Sequence, residues 1–133
     1  MPQPGGALAG RKILVVEDNY LIAEHVRSVL VDEGCDVLGP AARVAQALEL
    51  TREAEAIDGA VLDVNLGEHL CFAVAAALAE RSVPFVFLTA YDDHRIIPAE
   101  YAARPVLPKP LDEGRLVAVV AALSEPPTTA KPC

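Results

Sequence analysis

The sequence predicts an α/β fold built on a parallel sheet, and three observations carry that expectation. Short apolar runs alternate with helical patterns five times along the 133 residues. The runs are continuously apolar, as in parallel strands covered on both faces. Four of them lead into chemically useful residues: Lys12–Val16 into Glu17-Asp18, Ala60–Leu62 into Asp63, Phe85–Leu88 into Thr89, and Pro105–Pro108 into Lys109-Pro110. Ligands of open parallel sheets collect outside the carboxyl ends of the strands. Side by side, these runs would bring three carboxylates, a hydroxyl and an ammonium to one rim, the make-up of a divalent-metal and phosphoryl site.

The elements follow in order. After the first strand, Leu21, Ile22, Val26, Val29 and Leu30 recur at helical spacing, and Gly34 supplies a C-terminal stop. Cys35–Leu38 is a short second strand closed by Gly39-Pro40, and a second helix spans about Val44 to Ala54. The third strand reaches Asp63, an Ala-rich third helix covers about Leu70 to Glu80, and Pro84 opens the fourth strand. Tyr91 to Arg104 carries Pro98 in its middle, which breaks a regular helix, so a short or irregular one is expected. The last helix starts after Leu111 with Asp112 as N-cap, and Leu116, Val119, Val120 and Leu123 form its inward stripe. Strands alternating with helices imply right-handed crossovers and a sheet covered on both faces. Residues 1–10, rich in Pro and Gly, and 124–133, rich in Pro and Thr, read as flexible tails around one domain at 11–123.

Composition narrows the function. A hydrophobic fraction of 53% suits a packed core and excludes a disordered chain. The formal charge is −8, with 11 Lys and Arg against 19 Asp and Glu and no basic cluster, which argues against nucleic-acid contact. The longest apolar stretch, Leu70–Ala79, is too short to cross a bilayer, which takes about 20 residues. The first ten residues carry no basic group and do not read as a secretory signal. Cys35, Cys71 and Cys133 lack metal-like spacing; two read as small core residues and the third as a tail thiol, which fits a reducing cytoplasm. His25, His69 and His94 are scattered, offer no ligand pair, and read as surface or structural residues.

The rim residues carry the chemistry. Adjacent carboxylates such as Glu17 and Asp18 repel each other, which raises a pKa or calls for a cation. With Asp63 nearby, Mg²⁺ is the natural partner, since it binds one or two carboxylates and fills its shell with water and phosphate. Asn65 can add its main-chain carbonyl. A partly desolvated Asp63 can act as a nucleophile toward phosphorus and form an aspartyl-phosphate. Thr89 can donate to a phosphoryl oxygen, and Lys109, set between two prolines, can hold an ammonium in a fixed direction. Each residue alone also has a plainer reading, as a turn acid, helix cap, β-branched strand residue or surface lysine. Their order, placement and complementary charge favour the site.

In these residues the chain resembles the response-regulator receiver domains of two-component signalling, over about residues 11–123. The resemblance implies a flavodoxin-like, doubly wound five-stranded parallel sheet in the order 2-1-3-4-5. By position, Glu17 and Asp18 match the acidic metal pair, Asp63 the phospho-acceptor, Thr89 the hydroxyl switch and Lys109 the lysine before a cis-proline, Pro110. Asn65 occupies the position whose main-chain oxygen completes the metal shell. The stretch Pro84–Tyr91 resembles an alphaproteobacterial subgroup with a Phe-x-Thr-Gly/Ala-Tyr motif, often stand-alone, which adds Tyr91 to the switch residues.

Three departures bear on signalling. Val106 stands where many receivers carry a rotating aromatic, the loop Val64–Glu68 lacks the common proline and looks shortened, and Pro98 disrupts the fourth helix. The resemblance implies a non-enzymatic phosphoacceptor that uses Mg²⁺ and receives its phosphoryl group from a sensor histidine kinase. The signal would pass by protein contact or by relay to a histidine phosphotransfer protein or another regulator. Two alternatives stay open: a phosphorylation-independent pseudo-receiver, and a haloacid-dehalogenase-type phosphatase. The latter resembles this site but has a second Asp where Asn65 stands.

Overall fold

The computed structural model describes residues 8–67, 69–90 and 96–124. Five parallel strands form the sheet: β1 (Lys12–Val16), β2 (Asp36–Ala41), β3 (Gly59–Asp63), β6 (Phe85–Thr89) and β7 (Val106–Pro108), in the spatial order β2-β1-β3-β6-β7. Counting only these strands, the order is the expected 2-1-3-4-5. The helices are α1 (Tyr20–Asp32), α2 (Val44–Glu53), α3 (Phe72–Glu80) and α4 (Glu113–Ser124).

Period-2 alternation sends the side chains of each strand to two cores. Leu14, Leu62, Phe85 and Phe87 face the side covered by α2 and α3. Ile13, Val61, Val86 and Leu88 face the side where Val26 and Leu30 of α1 and Leu116 and Val120 of α4 pack. Both faces are therefore dry, which is why the strands read as unbroken apolar runs. Among the described residues no helix is long and apolar enough to cross a membrane.

Helix ends follow local chemistry. The Asn19 side chain accepts from the Ile22 amide at 3.1 Å and caps α1. Gly34, at φ +94°, ends it, with the Gly34 and Cys35 amides donating to Val31 and Leu30. Asp112 caps α4 as expected, accepting from the Arg115 amide at 3.0 Å. Of the Tyr91–Arg104 segment, residues 91–95 lie outside the described residues, and a 3₁₀ turn, Ala99–Tyr101, follows Pro98.

Several boundaries differ from the sequence reading. Strand β2 does not close at Gly39-Pro40 but runs through it to Ala41, with a register irregularity opposite Leu14–Val16. As an edge strand it tolerates a residue without an N–H. Gly39, at φ +98°, is required there, because a Cβ would lie 2.8 Å from the Val15 carbonyl oxygen. Helix α3 starts at Phe72 rather than Leu70, because His69–Leu70 (β5) pairs antiparallel with Asn65–Leu66 (β4) in a small hairpin. Leu21 is 76% exposed, outside the inward stripe of α1. Residues 8–10, assigned to the N-terminal tail, pack on the domain: Leu8 is 1% exposed, and the Gly10 amide donates to Gly34. The apolar contact of Leu8 outweighs the Pro/Gly-rich context that suggested a tail.

Candidate phosphoryl and metal site

The sheet order brings the four chemically marked strand ends together. Register pairs Val16 with Leu62, Asp63 with Leu88, and Thr89 with Pro108, so β1, β3, β6 and β7 finish on one rim. Glu17, Asp18 and Asp63 each place a carboxylate oxygen there, all within 4.8 Å of one another. Glu17 and Asp63 are buried while Asp18 faces solvent. The Lys109 ammonium sits 3.2 Å from Glu17 Oε1 and 3.3 Å from Asp63 Oδ1. The Lys109 amide donates to the Thr89 carbonyl, and the Lys109–Pro110 peptide is cis.

The electrostatics of this cluster are unbalanced. Burial, and then the neighbouring Glu17 carboxyl, push Asp63 up to about 8 against the pull of Lys109. Burial draws the Lys109 ammonium down, but Asp63 and Glu17 outweigh it and hold its pKa above the ordinary value. With all groups ionised, three carboxylates face one ammonium and two negative charges remain. Glu17 Oε2 accepts from the Asn19 amide at 3.0 Å. Glu17 Oε1 is fully buried without a hydrogen bond; the ammonium at 3.2 Å reaches it only as an ion-pair neighbour. An orphaned carboxylate oxygen, surplus negative charge and hard oxygen donors fit a divalent cation of the Mg²⁺ class.

The remaining expected residues differ in their engagement. The Asn65 amide donates to Asp63 Oδ1 at 3.3 Å, so the main chain at 65 follows the acid closely. Thr89 is buried at the next strand end, but its hydroxyl donates to the Ala90 carbonyl at 3.0 Å and not to Asp63. Val106 lies on β7, half-exposed, in register with Phe87. Tyr91 and His94 lie outside the described residues, as does Cys133. Cys35 and Cys71 are free and buried, and desolvation pushes their thiols up to about 11 and about 12.

Other contacts had no sequence signal. Gly67, at φ +80° in the β4–β5 turn, places the hairpin against Asp18: a Cβ there would lie 3.5 Å from Asp18 Oδ2. His69 and Asp18 share a cleft of about 770 Å³ with Arg43, Leu48 and Leu66. His25 meets Glu113 at 2.6 Å and joins α1 to α4 across 88 residues of sequence.

Residues 13–121 match the response regulator receiver domain. The chain belongs to this family. The family is a signalling domain of two-component systems. Among curated relatives, the chain is 32% identical over 109 residues to the sensory transduction protein LytT of Bacillus cereus, covering 80% of this chain and 44% of that protein. The chain thus spans about half the length of the curated relatives it matches. Among solved structures it is similar to SdrG from Sphingomonas melonis, with 37% identity, a TM-score of 0.71, and coverage of 90% of this chain and 98% of that one. The receiver domain of the sensor histidine kinase PA1611 from Pseudomonas aeruginosa shares the fold at 24% identity and a TM-score of 0.73, covering 86% of this chain and 98% of that one. That structure has a magnesium ion coordinated in its active-site cleft.

Proposed function

We propose that this receiver accepts a phosphoryl group from a cytoplasmic sensor histidine kinase domain onto Asp63. The observation that carries the reading is the placement of Asp63: buried at a strand end, 3.3 Å from the Lys109 ammonium and within 4.8 Å of two further carboxylates. In the transfer, an Asp63 carboxylate oxygen bonds to phosphorus while the phosphorus–nitrogen bond of a phosphohistidine breaks, and the electron pair returns to the imidazole. Asp18, Asp63, Glu17 and the Asn65 carbonyl are the residues that would hold Mg²⁺. The bound ion supplies charge neutralisation for the phosphoryl oxygens.

The chain's own residues do the rest. Lys109 is already poised beside the acceptor oxygen, and Thr89 reaches a phosphoryl oxygen once its hydroxyl leaves the Ala90 carbonyl. The signal then passes by phosphorylation-dependent protein contact or by relay to a histidine phosphotransfer protein or another regulator. The complete acid cluster with its lysine disfavours a phosphorylation-independent pseudo-receiver, and Asn65 two residues after Asp63 disfavours a dehalogenase-type phosphatase.

Incubation with a small phosphodonor and Mg²⁺, followed by intact mass, tests the reading. One added phosphoryl group is expected, lost in Asp63→Asn. Undiminished labelling of that variant at another residue refutes the assignment.

A further inference from the structure

Two parts of the site lead into one aromatic cluster. Strand alternation puts Phe85, Phe87 and Thr89 on the same face of β6. On the other side, the hairpin that follows Asp63 runs directly into Phe72, the first residue of α3. Phe72 and Phe87 meet edge-on at 5.9 Å, and Phe85 and Phe87 at 5.3 Å.

Tyr101 closes this cluster from outside the sheet. It ends the 3₁₀ turn Ala99–Tyr101 and is only 8% exposed. Its ring lies 6.2 Å from Phe72, 5.7 Å from Phe85 and 6.1 Å from Phe87. Val106, the register partner of Phe87 on β7, is short and half-exposed, so its side chain leaves the Phe87 ring to be covered from elsewhere. Arg104, one turn further on, donates its amide to the Tyr101 carbonyl and lays its guanidinium 4.2 Å over the Phe85 ring. A surface segment is thus anchored, through one ring, to the strand that carries Thr89 and to the helix that follows Asp63.

We propose that Tyr101 is a positioning residue for Thr89: its ring holds Phe87, and so couples the direction of the Thr89 hydroxyl to the placement of the 99–104 segment. This rests on the phosphoacceptor reading above. When Thr89 turns from the Ala90 carbonyl toward a phosphoryl group on Asp63, the end of β6 shifts. Phe87 cannot follow without displacing the ring packed on it, because close-packed side chains move between discrete arrangements. The Tyr101 ring carries that shift to the 99–104 backbone, where a partner can read it.

Fluorotyrosine labelling of the whole chain tests this, with Mg²⁺ and beryllium fluoride as the phosphoryl mimic. The chain has three tyrosines, and Tyr101→Phe identifies the resonance of Tyr101. That resonance should move on loading in the wild type and stay in place in Thr89→Ala at equal occupancy of the bound fluoride. Hydrogen exchange adds the distinction from a merely structural ring. Amides at 99–104 should change their exchange roughly threefold or more on loading in the wild type and in Tyr101→Phe, and barely in Tyr101→Leu. An unmoved Tyr101 resonance in the loaded wild type overturns the proposal, as does a full response in Thr89→Ala or Tyr101→Leu. Intact mass with a phosphodonor separates the two readings: labelling of Asp63 without a Tyr101 response sinks only the coupling, whereas no labelling sinks both.

Discussion

Replacing Asp63 with Asn should make the metal-free protein more stable, although it removes the proposed acceptor. The carboxyl is buried beside Glu17, and its pKa rises from 3.8 to about 8 in the folded chain. Between those values the native state binds more protons than the unfolded one, so stability declines as pH rises through that window. At pH 7 the unfolded chain is ionised some three pH units above its pKa, which makes the burden of this one group up to about 4 kcal/mol. Asn keeps the shape without the charge, but it removes one of the two carboxylates beside Lys109. We therefore expect a net gain of about 2–3 kcal/mol, or roughly 8 °C or more in Tm for a chain of this size. The assay is circular-dichroism melting in chelator at pH 5, 6, 7 and 8. The Asn variant should melt progressively further above the wild type as pH increases. A variant that melts below the wild type at pH 8, or a gap that closes with rising pH, would show that Asp63 is stabilised as a carboxylate by Lys109 and that the charge argument is wrong.

Other outcomes follow from the same geometry. Millimolar Mg²⁺ should raise the wild-type Tm, since a ligand at 100 times its Kd adds about 2.7 kcal/mol to the state it binds. Asp18→Asn should blunt that rise, and a wild-type melting curve indifferent to Mg²⁺ speaks against a metal site. Lys109→Ala leaves Glu17 and Asp63 without their shared cation, so urea titration at pH 8 should show a loss of about 3 kcal/mol or more, partly restored by Mg²⁺. Leu8→Ala should cost about 2–4 kcal/mol in the same titration, as expected of a buried leucine; a neutral result would mean that residue 8 contributes nothing to the core.

The sequence by itself determined the layered architecture and the identity of the rim. A strand covered on both faces must be apolar where it is covered, and Ile13–Val16 of β1, Ala60–Leu62 of β3 and Phe85–Leu88 of β6 are so in the bare string of residues. Ligands of such sheets gather at the carboxyl ends of the strands, so the polar residues there, Glu17, Asp18, Asp63 and Thr89, mark the candidate site in the sequence alone. Lys109 is legible for the same reason, at the end of an apolar run and framed by prolines.

Tertiary structure decided what depends on partners distant in the chain. Pro40 reads as a stop until β2 is seen to be an edge strand, where a missing N–H goes unnoticed. The hairpin of β4 and β5 has two residues per strand, too few to show a period, so the sequence reads as a loop up to His69 and as helix from Leu70. Leu8 looks like tail until the core on the α1 and α4 face is present to receive it, and His25 looks solitary until α4 brings Glu113 alongside. The ring contacts of Tyr101 are of the same kind: they are set by which side chains arrive beside the ring in space, and periodicity along a chain carries no record of that. The Thr89 hydroxyl turns instead to the carbonyl of its neighbour Ala90, a rotamer choice that periodicity does not record either.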